Sequence, residues 1–397
     1  MNISTLKQFI ERIEHTIPPR KRLAFNYSND QYDFQQDIRI LKNTLRDIHQ
    51  IPVEGDKFIL DLNDGETLKM EADYETSELK KDIYFFEHQH SDFLSYLSQI
   101  NPGFDQEVKA GMEFLQGKDF KNFITDRDGT VNNYCARYNT SVQSAYNAVF
   151  LSHFARKMNQ AVLLTSAPLK NKGLFDISVL PEHTYILAGS KGREYIDING
   201  VSGNFPIPKE KQNILLSFNS KLSELLSNRE YSVFSRIGSG LQYKFGQTTI
   251  ARQDINDSIR PQKSTDFLNT IKGLINKIDP KGKHLVIEDT GLDIEIILTV
   301  EADSENSVKD FNKGHGLDFL NKALGLDLHQ GSNLICGDTN SDIPMVEQSL
   351  ELNNSTSAIF VSKDKALKDK VKNICSDSFF VSSPDILITI LNQISNH

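Results

Sequence analysis

Two aspartates, Asp126 and Asp128, lie two positions apart, directly after the apolar run 123–125 and before Gly129 and Thr130. Side chains of a β-strand alternate between its faces, so both carboxylates can point the same way only if the chain stays extended or loops just past the strand's end. Open α/β sheets bind ligands in such carboxyl-end loops. One carboxylate there could attack phosphorus while the other donates a proton to the leaving oxygen and then activates water. The pattern favours a phosphoryl-transfer site; the alternative is a solvated turn of aspartate and glycine.

A second acidic loop lies far downstream. The apolar residues 334–336 are followed by Gly337, Asp338 and, four positions later, Asp342. Magnesium prefers a few carboxylates together with water and substrate phosphate. Two strand ends that carry such ligands predict a magnesium site, in which the metal holds phosphate against the negative pair. This second loop favours a phosphoryl-transfer site over a solvated turn as the interpretation of residues 126–130.

The two acidic loops resemble the first and fourth motifs of the haloacid dehalogenase-like phosphatase superfamily, Asp-x-Asp-x-Thr and Gly-Asp-x-x-x-Asp. The second motif of that superfamily is a hydroxyl residue that closes a hydrophobic strand, and Thr165 matches it, with Ser166 as the alternative. The third motif is a lysine near a helix start, and Lys313 matches it within an Asn-Lys-Gly sequence like that of sugar phosphatases. Four motifs in the right order make the resemblance specific.

The resemblance implies a role for each matched residue. Asp126 would be the nucleophile that becomes an aspartyl-phosphate, and Asp128 would be the general acid/base. Thr165 and Lys313 would bind phosphoryl oxygens, the lysine as a compact positive charge. The implied ligands of Mg²⁺ are the Asp126 carboxylate, the Asp128 main-chain carbonyl, Asp338 and, directly or through water, Asp342.

The overall composition agrees with a soluble enzyme. At 397 residues the chain exceeds the length at which one hydrophobic core usually stops growing, so two or three domains are expected. A net charge of −9 argues against general affinity for nucleic acid, which needs a basic face. Residues 1–20 show no signal-like core, and no apolar run approaches membrane-spanning length. Three widely spaced cysteines, Cys135, Cys336 and Cys375, suit a reducing compartment. We therefore expect a cytoplasmic protein without nucleic-acid or membrane partners.

Residues 1–115 precede the first motif and predict a mainly helical accessory domain. Apolar residues at helical spacing indicate helices around residues 6–13, 38–48 and 93–100, the first of them stopped by Pro18 and Pro19. Residues 57–70 predict a β-hairpin around Asn63, Asp64 and Gly65. No catalytic group is evident in this segment, so self-association or a protein partner is its expected role.

Residues 116–204 and 306–397 predict the two halves of a doubly wound, Rossmann-like α/β core. An apolar helix is predicted over 141–158, and the polar aromatic loop 134–139 before it either contacts substrate or covers the surface. Residues 188–200 resemble the Gly-Asn/Ser-His-Gly-x-Glu segment of trehalose-6-phosphate phosphatases, with lysine where histidine is usual. That resemblance implies sugar contacts for Lys191 and Glu194, and solvated side chains are the alternative.

Residues 205–305 separate the second motif from the third and predict an inserted α/β cap. Its helices are predicted over 215–226 and 267–278, and its strands over 243–245, 248–251, 284–288 and 293–298. Such an insertion resembles the C2B-type cap, which closes over sugar phosphates and excludes water. Candidate sugar contacts are Arg236, Lys244, Arg252 and Glu295; for each, the alternative is a surface ion pair on the cap.

The Arg-Asp-Gly-Thr form of the first motif, joined to a long helical leader, is similar to the nematode-type branch of trehalose-6-phosphate phosphatases. The resemblance implies a magnesium-dependent enzyme that converts trehalose-6-phosphate into trehalose and phosphate. Another glycosyl phosphate (sucrose-6-phosphate, glucosyl- or mannosyl-3-phosphoglycerate), a phosphomutase reaction, and a non-catalytic phosphosugar sensor are the alternatives. Retention of both first-motif aspartates favours an enzyme.

Overall fold

The computed structural model describes residues 2–61, 67–255, 257–301, 308, 309 and 311–395. In the described part of the first 115 residues, helices surround a small antiparallel sheet. The elements are α1 (Leu6–Glu14), α2 (Ile17–Ser28), α3 (Gln35–Ile48), β1 (Val53–Glu54), β2 (Lys57–Asp61), β3 (Thr67–Met70), α4 (Asp73–Glu87), α5 (His90–Ile100) and α6 (Phe104–Leu115).

The predicted helices α1, α3 and α5 are confirmed, whereas α2, α4 and α6 were not predicted. Pro18 and Pro19 lie in the first turn of α2, where the missing N–H of proline costs no helical hydrogen bond. The prolines therefore lie in the first turn of a second helix, which begins at Ile17, three positions after α1 ends at Glu14. The predicted hairpin is confirmed by the antiparallel pairing of β2 with β3, and its turn residues 63–65 lie outside the described part of the chain.

The next segment alternates strands and helices, as predicted. Its elements are β4 (Phe120–Thr125), α7 (Ala145–Ala155), β5 (Gln160–Leu164), α8 (Leu174–Ile177), β6 (Ile186–Gly189), β7 (Glu194–Ile196) and β8 (Ser202–Asn204). The inserted segment follows with α9 (Lys209–Ser227), β9 (Leu241–Lys244), β10 (Gln247–Ala251), α10 (Pro261–Ile278), β11 (Leu285–Asp289), β12 (Asp293–Leu298) and β13 (Val300–Glu301). The chain then continues through β14 (Val308–Lys309), α11 (Lys313–Leu324), β15 (Ser332–Gly337), α12 (Ile343–Leu352), β16 (Thr356–Val361), α13 (Lys365–Ile374), β17 (Ser378–Val381) and α14 (Pro384–Ser395).

The central sheet has the strand order β17-β16-β15-β4-β5-β6-β7-β8. Its strands are parallel from β17 to β6, and β7 and β8 extend it in antiparallel pairing. Successive residues of β4 face opposite layers: Phe123 belongs to one buried apolar cluster and Ile124 to the other. The predicted α/β class is therefore confirmed, with helices on both faces of the sheet.

The N-terminal helices pack directly against the core. Helix α2 contacts α7, and α6 contacts α14. Phe9 and Leu79 belong to the same apolar cluster as Phe123 and Phe150. The segment thus shares its hydrophobic core with the central sheet, and the predicted domain boundary at residue 115 stays a prediction.

The inserted segment forms an antiparallel sheet of order β11-β12-β10-β9 with helices α9 and α10. Each predicted helix and strand of this segment is present, with ends that differ by up to six residues, the largest differences being the earlier starts of the two helices. Among the residues described, no helix combines the length and the apolar character needed to cross a membrane.

Candidate active site

The carboxyl edge of the central sheet brings the predicted site residues together. Strand β4 lies between β15 and β5 in parallel register, so Asp126, Asp338 and Thr165 follow the ends of neighbouring strands. Lys313 is the first residue of α11. This edge is where α/β sheets bind ligands, because the strand ends and the helix starts that follow them meet there.

Asp126 is held in a fixed position by its neighbours. It is 5% exposed, and its main-chain N–H donates to the Cys336 carbonyl at 3.0 Å. Lys313 Nζ donates to its Oδ1 at 2.5 Å, and the Thr130 hydroxyl donates to its Oδ2 at 3.4 Å. Burial raises the pKa of Asp126 to about 7, against the lowering effect of Lys313.

Lys313 lies between two carboxylates. Its Nζ donates to Asp126 Oδ1 and to Asp342 Oδ1, each at 2.5 Å, and the residue is 3% exposed. Burial by itself lowers the pKa of a lysine, but these two carboxylates raise the pKa of Lys313 above its ordinary value. A charged ammonium is therefore fixed beside Asp126, where a phosphoryl oxygen could also reach it.

The residues around Lys313 explain its orientation. Asn312 caps α11, since its Oδ1 accepts from the His315 N–H at 3.0 Å. A Cβ on Gly314 would lie 2.5 Å from the Pro344 carbonyl oxygen, and a Cβ on Gly316 would lie 2.0 Å from the Lys191 carbonyl oxygen. The two glycines therefore allow α11 to approach both the start of α12 and the turn at residues 190–192.

Asp126, Asp338 and Asp342 form a cluster that fits a divalent cation. Each offers a carboxylate oxygen, and these atoms lie within 4.8 Å of one another. Burial, together with the negative charges of Asp126 and Asp342, raises the pKa of Asp338 to about 9. A Cβ on Gly129, whose φ is +87°, would lie 2.2 Å from Asp338 Oδ2, so glycine is needed where the two acidic loops meet. Buried, concentrated carboxylates are the oxygen donors that divalent cations of the magnesium type prefer.

Asp342 orders the second acidic loop. Its Oδ2 accepts from the main-chain N–H groups of Asp338 at 3.0 Å and Thr339 at 2.9 Å, while its Oδ1 accepts from Lys313. Burial raises the pKa of Asp342, but Lys313 and the N–H donors outweigh it, so the pKa is lowered overall. Its predicted metal role, direct or through water, stays a prediction.

Asp128 has different partners from Asp126. Its Oδ1 accepts from Arg127 Nη1 at 2.5 Å and from the Ser141 hydroxyl at 3.1 Å. Arg127 is 1% exposed and also donates to the Ser141 carbonyl. The two carboxylates of the first motif are therefore set up for different tasks: Asp126 faces a lysine and the acidic cluster, whereas Asp128 faces an arginine and a hydroxyl.

A cavity of about 160 Å³ lies between the core and the inserted segment, next to Asp128. The loop at residues 134–138 forms its core side, and residues of the antiparallel sheet and its loops form the other side. Polar or aromatic groups that line it include Asp128, Tyr134, Tyr138, Ser239, Gln242 and Asp293. The polar aromatic loop predicted either to contact substrate or to cover the surface therefore lines the cavity.

Three of the predicted sugar-binding residues come together at the interface between core and insertion, namely Lys191, Lys244 and Glu295. The strand register puts Gln242, Lys244 and Glu295 on one face of the antiparallel sheet. Burial lowers the pKa of Lys244, Glu295 raises it, and Lys191 on the core lowers it again, so charges from the cap and from the core both act on Lys244. The Phe245 N–H also donates to the hydroxyl of Ser190, the residue before Lys191, at 2.9 Å.

Other predicted contacts have local partners. Arg252 pairs with Asp289 at 3.3 Å and donates to the Gly291 carbonyl, which ties it to the β11–β12 turn. Arg236 follows the short turn Ser232–Ser235. Glu194 Oε1 accepts from the Ser190 hydroxyl at 2.5 Å and from the Leu169 N–H at 3.1 Å, so it joins two loops of the core. The geometry favours a structural role for Glu194 and Arg252, and their sugar contacts stay predictions.

The second motif is tied to its neighbours by the main chain. The Thr165 carbonyl accepts from the Lys191 N–H at 2.9 Å, and its hydroxyl accepts from the Ala167 N–H at 3.2 Å. Thr165 is buried, whereas Ser166 is half-buried. The loop that carries Lys191 is therefore joined to the end of β5. The phosphate-binding role of Thr165, with Ser166 as the alternative, stays a prediction.

Sequence reasoning missed Arg127, Thr130 and Ser141. The Thr130 hydroxyl donates to Asp338 Oδ1 at 3.2 Å as well as to Asp126, so it links the two acidic loops. Arg127 and Thr130 lie within the first motif, and their polar side chains next to the two aspartates could have identified them as site residues. Ser141 had no such signal, because only the return of the loop brings it back to Asp128.

Comparison with known proteins agrees with this geometry. Residues 123–387 match the family model described as trehalose-6-phosphate phosphatase, C-terminal. Over 98% of its length the chain is 32% identical to alpha,alpha-trehalose-phosphate synthase (UDP-forming) 2 of Caenorhabditis elegans, and it covers 32% of that protein. It is 29% identical to a trehalose-phosphatase of Caenorhabditis briggsae over 98% of this chain and 97% of that one. A trehalose-phosphatase of Brugia malayi is 34% identical over 69% of this chain and 56% of that one.

The α/β core, its inserted segment and the four motifs at one edge of the sheet are those of the haloacid dehalogenase-like class of proteins. The chain belongs to the trehalose-6-phosphate phosphatase family, whose model covers most of it. It spans about a third of the length of the synthases that it matches.

Proposed function

We propose that this protein hydrolyses trehalose-6-phosphate to trehalose and phosphate through an aspartyl-phosphate on Asp126. The observation that carries the proposal is the pair of contacts of Lys313, whose ammonium lies 2.5 Å from both Asp126 and Asp342. A nucleophilic carboxylate beside a fixed cation and an acidic cluster is an arrangement suited to attack on phosphorus. The names of the phosphatase relatives support trehalose-6-phosphate as the substrate.

In the first step an Asp126 carboxylate oxygen attacks phosphorus, and the bond from phosphorus to the sugar oxygen breaks. Asp128 donates its proton to that oxygen as it leaves. Lys313, together with Thr165 at the end of the neighbouring strand, stabilises the charge on the phosphoryl oxygens. The separate partners of the two aspartates support this division of roles.

In the second step water attacks phosphorus, Asp128 takes a proton from it, and the Asp126 carboxylate leaves. The same carboxyl therefore acts first as an acid and then as a base. The position of Asp128 at the cavity beside the cap supports this role, because a leaving sugar and an entering water would both pass there.

Mg²⁺ would be held by Asp126, Asp338 and the Asp128 carbonyl, with Asp342 acting directly or through water. The ion would supply positive charge to the phosphoryl group and offset the repulsion between substrate and carboxylates. The convergence of three carboxylate oxygens within 4.8 Å supports this assignment.

The cap face that carries Gln242, Lys244 and Glu295 is proposed as the sugar-binding surface, together with Lys191 of the core. Lys244→Met should raise KM for trehalose-6-phosphate, because it removes a buried cation from this face. Arg252→Met is the matched control, since its guanidinium is paired with Asp289 in a turn of the same cap. Equal changes in KM for the two variants would contradict this surface.

Phosphate release with magnesium across a panel of sugar phosphates tests the function. The panel holds trehalose-6-phosphate, sucrose-6-phosphate, glucose-6-phosphate, mannosyl-3-phosphoglycerate and glucosyl-3-phosphoglycerate. We expect the highest kcat/KM for trehalose-6-phosphate, without a bisphosphate activator, which a phosphomutase would need. Faster hydrolysis of another glycosyl phosphate would make that compound the proposed substrate in place of trehalose-6-phosphate. If none of the five compounds were hydrolysed, a non-catalytic phosphosugar sensor would be favoured.

We also propose that the protein works in the cytoplasm as an enzyme of small molecules. Its three cysteines, Cys135, Cys336 and Cys375, are buried thiols, which suits a reducing compartment. Separation of cell extracts into cytosolic and organelle fractions, followed by immunoblotting, tests this location.

A further inference from the structure

Helix α4 of the N-terminal segment lies against the loop that follows the first motif. The loop runs from Asn132, after the motif, to Val142, before α7, and it is bonded to α4 or its start along its length. The contacts are Tyr74 Oη to the Val142 carbonyl at 2.8 Å, Asn132 Nδ2 to Tyr74 Oη at 3.0 Å, Asn133 Nδ2 to Glu78 at 3.1 Å, Arg137 Nη2 to the Glu71 carbonyl at 2.6 Å, and the Thr140 hydroxyl to Glu75 at 2.6 Å.

Tyr74 is the contact that joins the two ends of this loop. Its hydroxyl donates to Val142 and accepts from Asn132, ten residues earlier. Burial raises the pKa of Tyr74 well above its usual range, so the hydroxyl keeps the proton that it donates. A neutral phenol bonded at both ends fixes how far apart the ends lie.

Both ends of the loop lead directly to Asp128. At the first end, the Gly129 N–H donates to the Asn132 carbonyl at 2.8 Å, which closes the turn after Asp128. At the other end, Ser141 precedes Val142, and its hydroxyl and carbonyl both contact the Asp128–Arg127 pair. A shift of either end would therefore move a direct partner of the Asp128 carboxyl.

The same loop is anchored deeper in the protein through Asn133. Besides Glu78, Asn133 Nδ2 donates to Asp385 of α14 at 2.8 Å, and Lys81 of α4 donates to both Glu78 and Asp385. The three charged residues, Glu78, Lys81 and Asp385, are 2–3% exposed. Buried charged groups with several hydrogen bonds hold a fixed geometry, because any displacement leaves a charge unpaired.

We propose that α4 is a positioning element of the active site, in which Tyr74 holds the ends of loop 132–142 so that Arg127 and Ser141 aim the Asp128 carboxyl at the leaving oxygen. The inference rests on the proposed function, in which Asp128 is the general acid. It assigns part of the N-terminal segment to catalysis, in addition to any role in self-association. Tyr74 acts through other residues and touches no reacting atom.

The test compares two substrates that depend differently on Asp128. Trehalose-6-phosphate has a sugar alkoxide as its leaving group, which needs a proton, whereas p-nitrophenyl phosphate releases a stabilised phenolate, which does not. The value of kcat/KM reports the steps up to release of the leaving group, so it isolates the acid role from the later hydrolysis of the phospho-enzyme.

Tyr74→Phe should lower kcat/KM for trehalose-6-phosphate about 3- to 10-fold, the worth of one buried hydrogen bond. It should leave the value for p-nitrophenyl phosphate nearly unchanged. Tyr84→Phe is the matched control, because Tyr84 lies on the same helix and stacks on Tyr96, away from the loop. Asp128→Asn serves as the reference and should show the same selectivity more strongly.

An equal fall for both substrates would overturn the proposal, since it would mean a general structural defect. No change for either substrate would also overturn it. Wild-type turnover of trehalose-6-phosphate, measured first, decides the proposed function separately from this inference. If Tyr74→Phe does not yield folded protein by circular dichroism, Thr140→Val, which removes the bond to Glu75, is measured in its place with the same two decisive outcomes.

Discussion

Replacing Lys313 by methionine tests the central geometry of the site. Lys313 is 3% exposed and supplies the ammonium between Asp126 and Asp342 at 2.5 Å from each. Methionine keeps much of the length and apolar volume of the stem but removes the charge. The variant therefore isolates what the cation does.

The expected loss of stability follows from the burial of the partners. Removing one member of a buried ion pair typically costs about 3–5 kcal/mol, because the remaining charge is left uncompensated. Here two carboxylates remain, both less than 10% exposed, and Lys313 is the neighbour that lowers the pKa of each of them. We expect a loss of about that size in EDTA and a smaller one with magnesium, which supplies positive charge to the same carboxylates.

The expected loss of activity is separate. A lost donor to developing charge in a transition state typically costs about 10²–10³ in kcat. Lys313→Met should therefore reduce phosphate release by about that factor, measured with saturating magnesium so that folding does not limit the rate. Lys322→Met is the matched control, because Lys322 lies on the same helix and forms a surface ion pair with Asp318 at 2.6 Å.

Urea unfolding followed by circular dichroism gives the stability, and a coupled phosphate assay gives the rate. Lys322→Met should match wild type in both. The reasoning fails if Lys313→Met is as stable as this control in EDTA, or if it keeps activity within threefold of wild type. The first result would mean that the lysine does not compensate the carboxylates, and the second that it does not bind the phosphoryl group.

Three further predictions concern the carboxylates. Asp126→Asn should abolish phosphate release, because an amide cannot form the acyl-phosphate. Acid quench should trap no phospho-enzyme from this variant, and near-normal turnover would refute the assignment of Asp126 as the nucleophile. Asp128→Asn should bind substrate but turn over about 10²–10⁴-fold more slowly; an unchanged single-turnover rate would require another role for Asp128. Asp338 has its pKa raised from 3.8 to about 9 in the folded protein, so folding takes up a proton there and the stability of the metal-free protein should fall as pH rises from about 4 to about 9. Asp338→Asn should therefore raise the thermal unfolding midpoint in EDTA at pH 8 while abolishing magnesium-dependent activity; a lower midpoint would contradict the sign.

The sequence could predict that the candidate site residues lie together, because most of them directly follow the ends of strands. The apolar runs before Asp126 and Asp338 predict strands, and β4 and β15 are adjacent and parallel. Gly129 and Gly337 mark tight approaches that a Cβ would block. In such places local sequence and global fold give the same answer, so short-range patterns are sufficient.

Helix α4 shows why the N-terminal segment was harder to predict. Its buried face carries Glu75, Glu78, Lys81 and Asp82, which in sequence read as solvent-facing positions. Their burial depends on partners that lie far away in the chain, such as Arg20 and Asp385. A hydrophobic periodicity cannot reveal a face that is buried through ion pairs.

The charges of the cap were ambiguous for a related reason. Lys244 and Arg252 look alike in sequence, but one lies on the buried face towards the core and the other pairs with Asp289 in a turn. Strand register decides between the two outcomes, and register depends on pairing across the sheet.

The position of β4 in the middle of the central sheet has a consequence for how the candidate site is assembled during folding. Asp126 and Lys313 are 187 positions apart in the chain, and the strand that carries the second acidic loop pairs directly with β4. During synthesis the edge of β4 that will bind β15 therefore stays open until residues 332–337 have been made. Contacts between such distant segments form slowly, and open strand edges invite association with other chains. Recovery of the proposed phosphatase activity after refolding would for this reason report the pairing of β4 with β15, whereas recovery of helical signal would not.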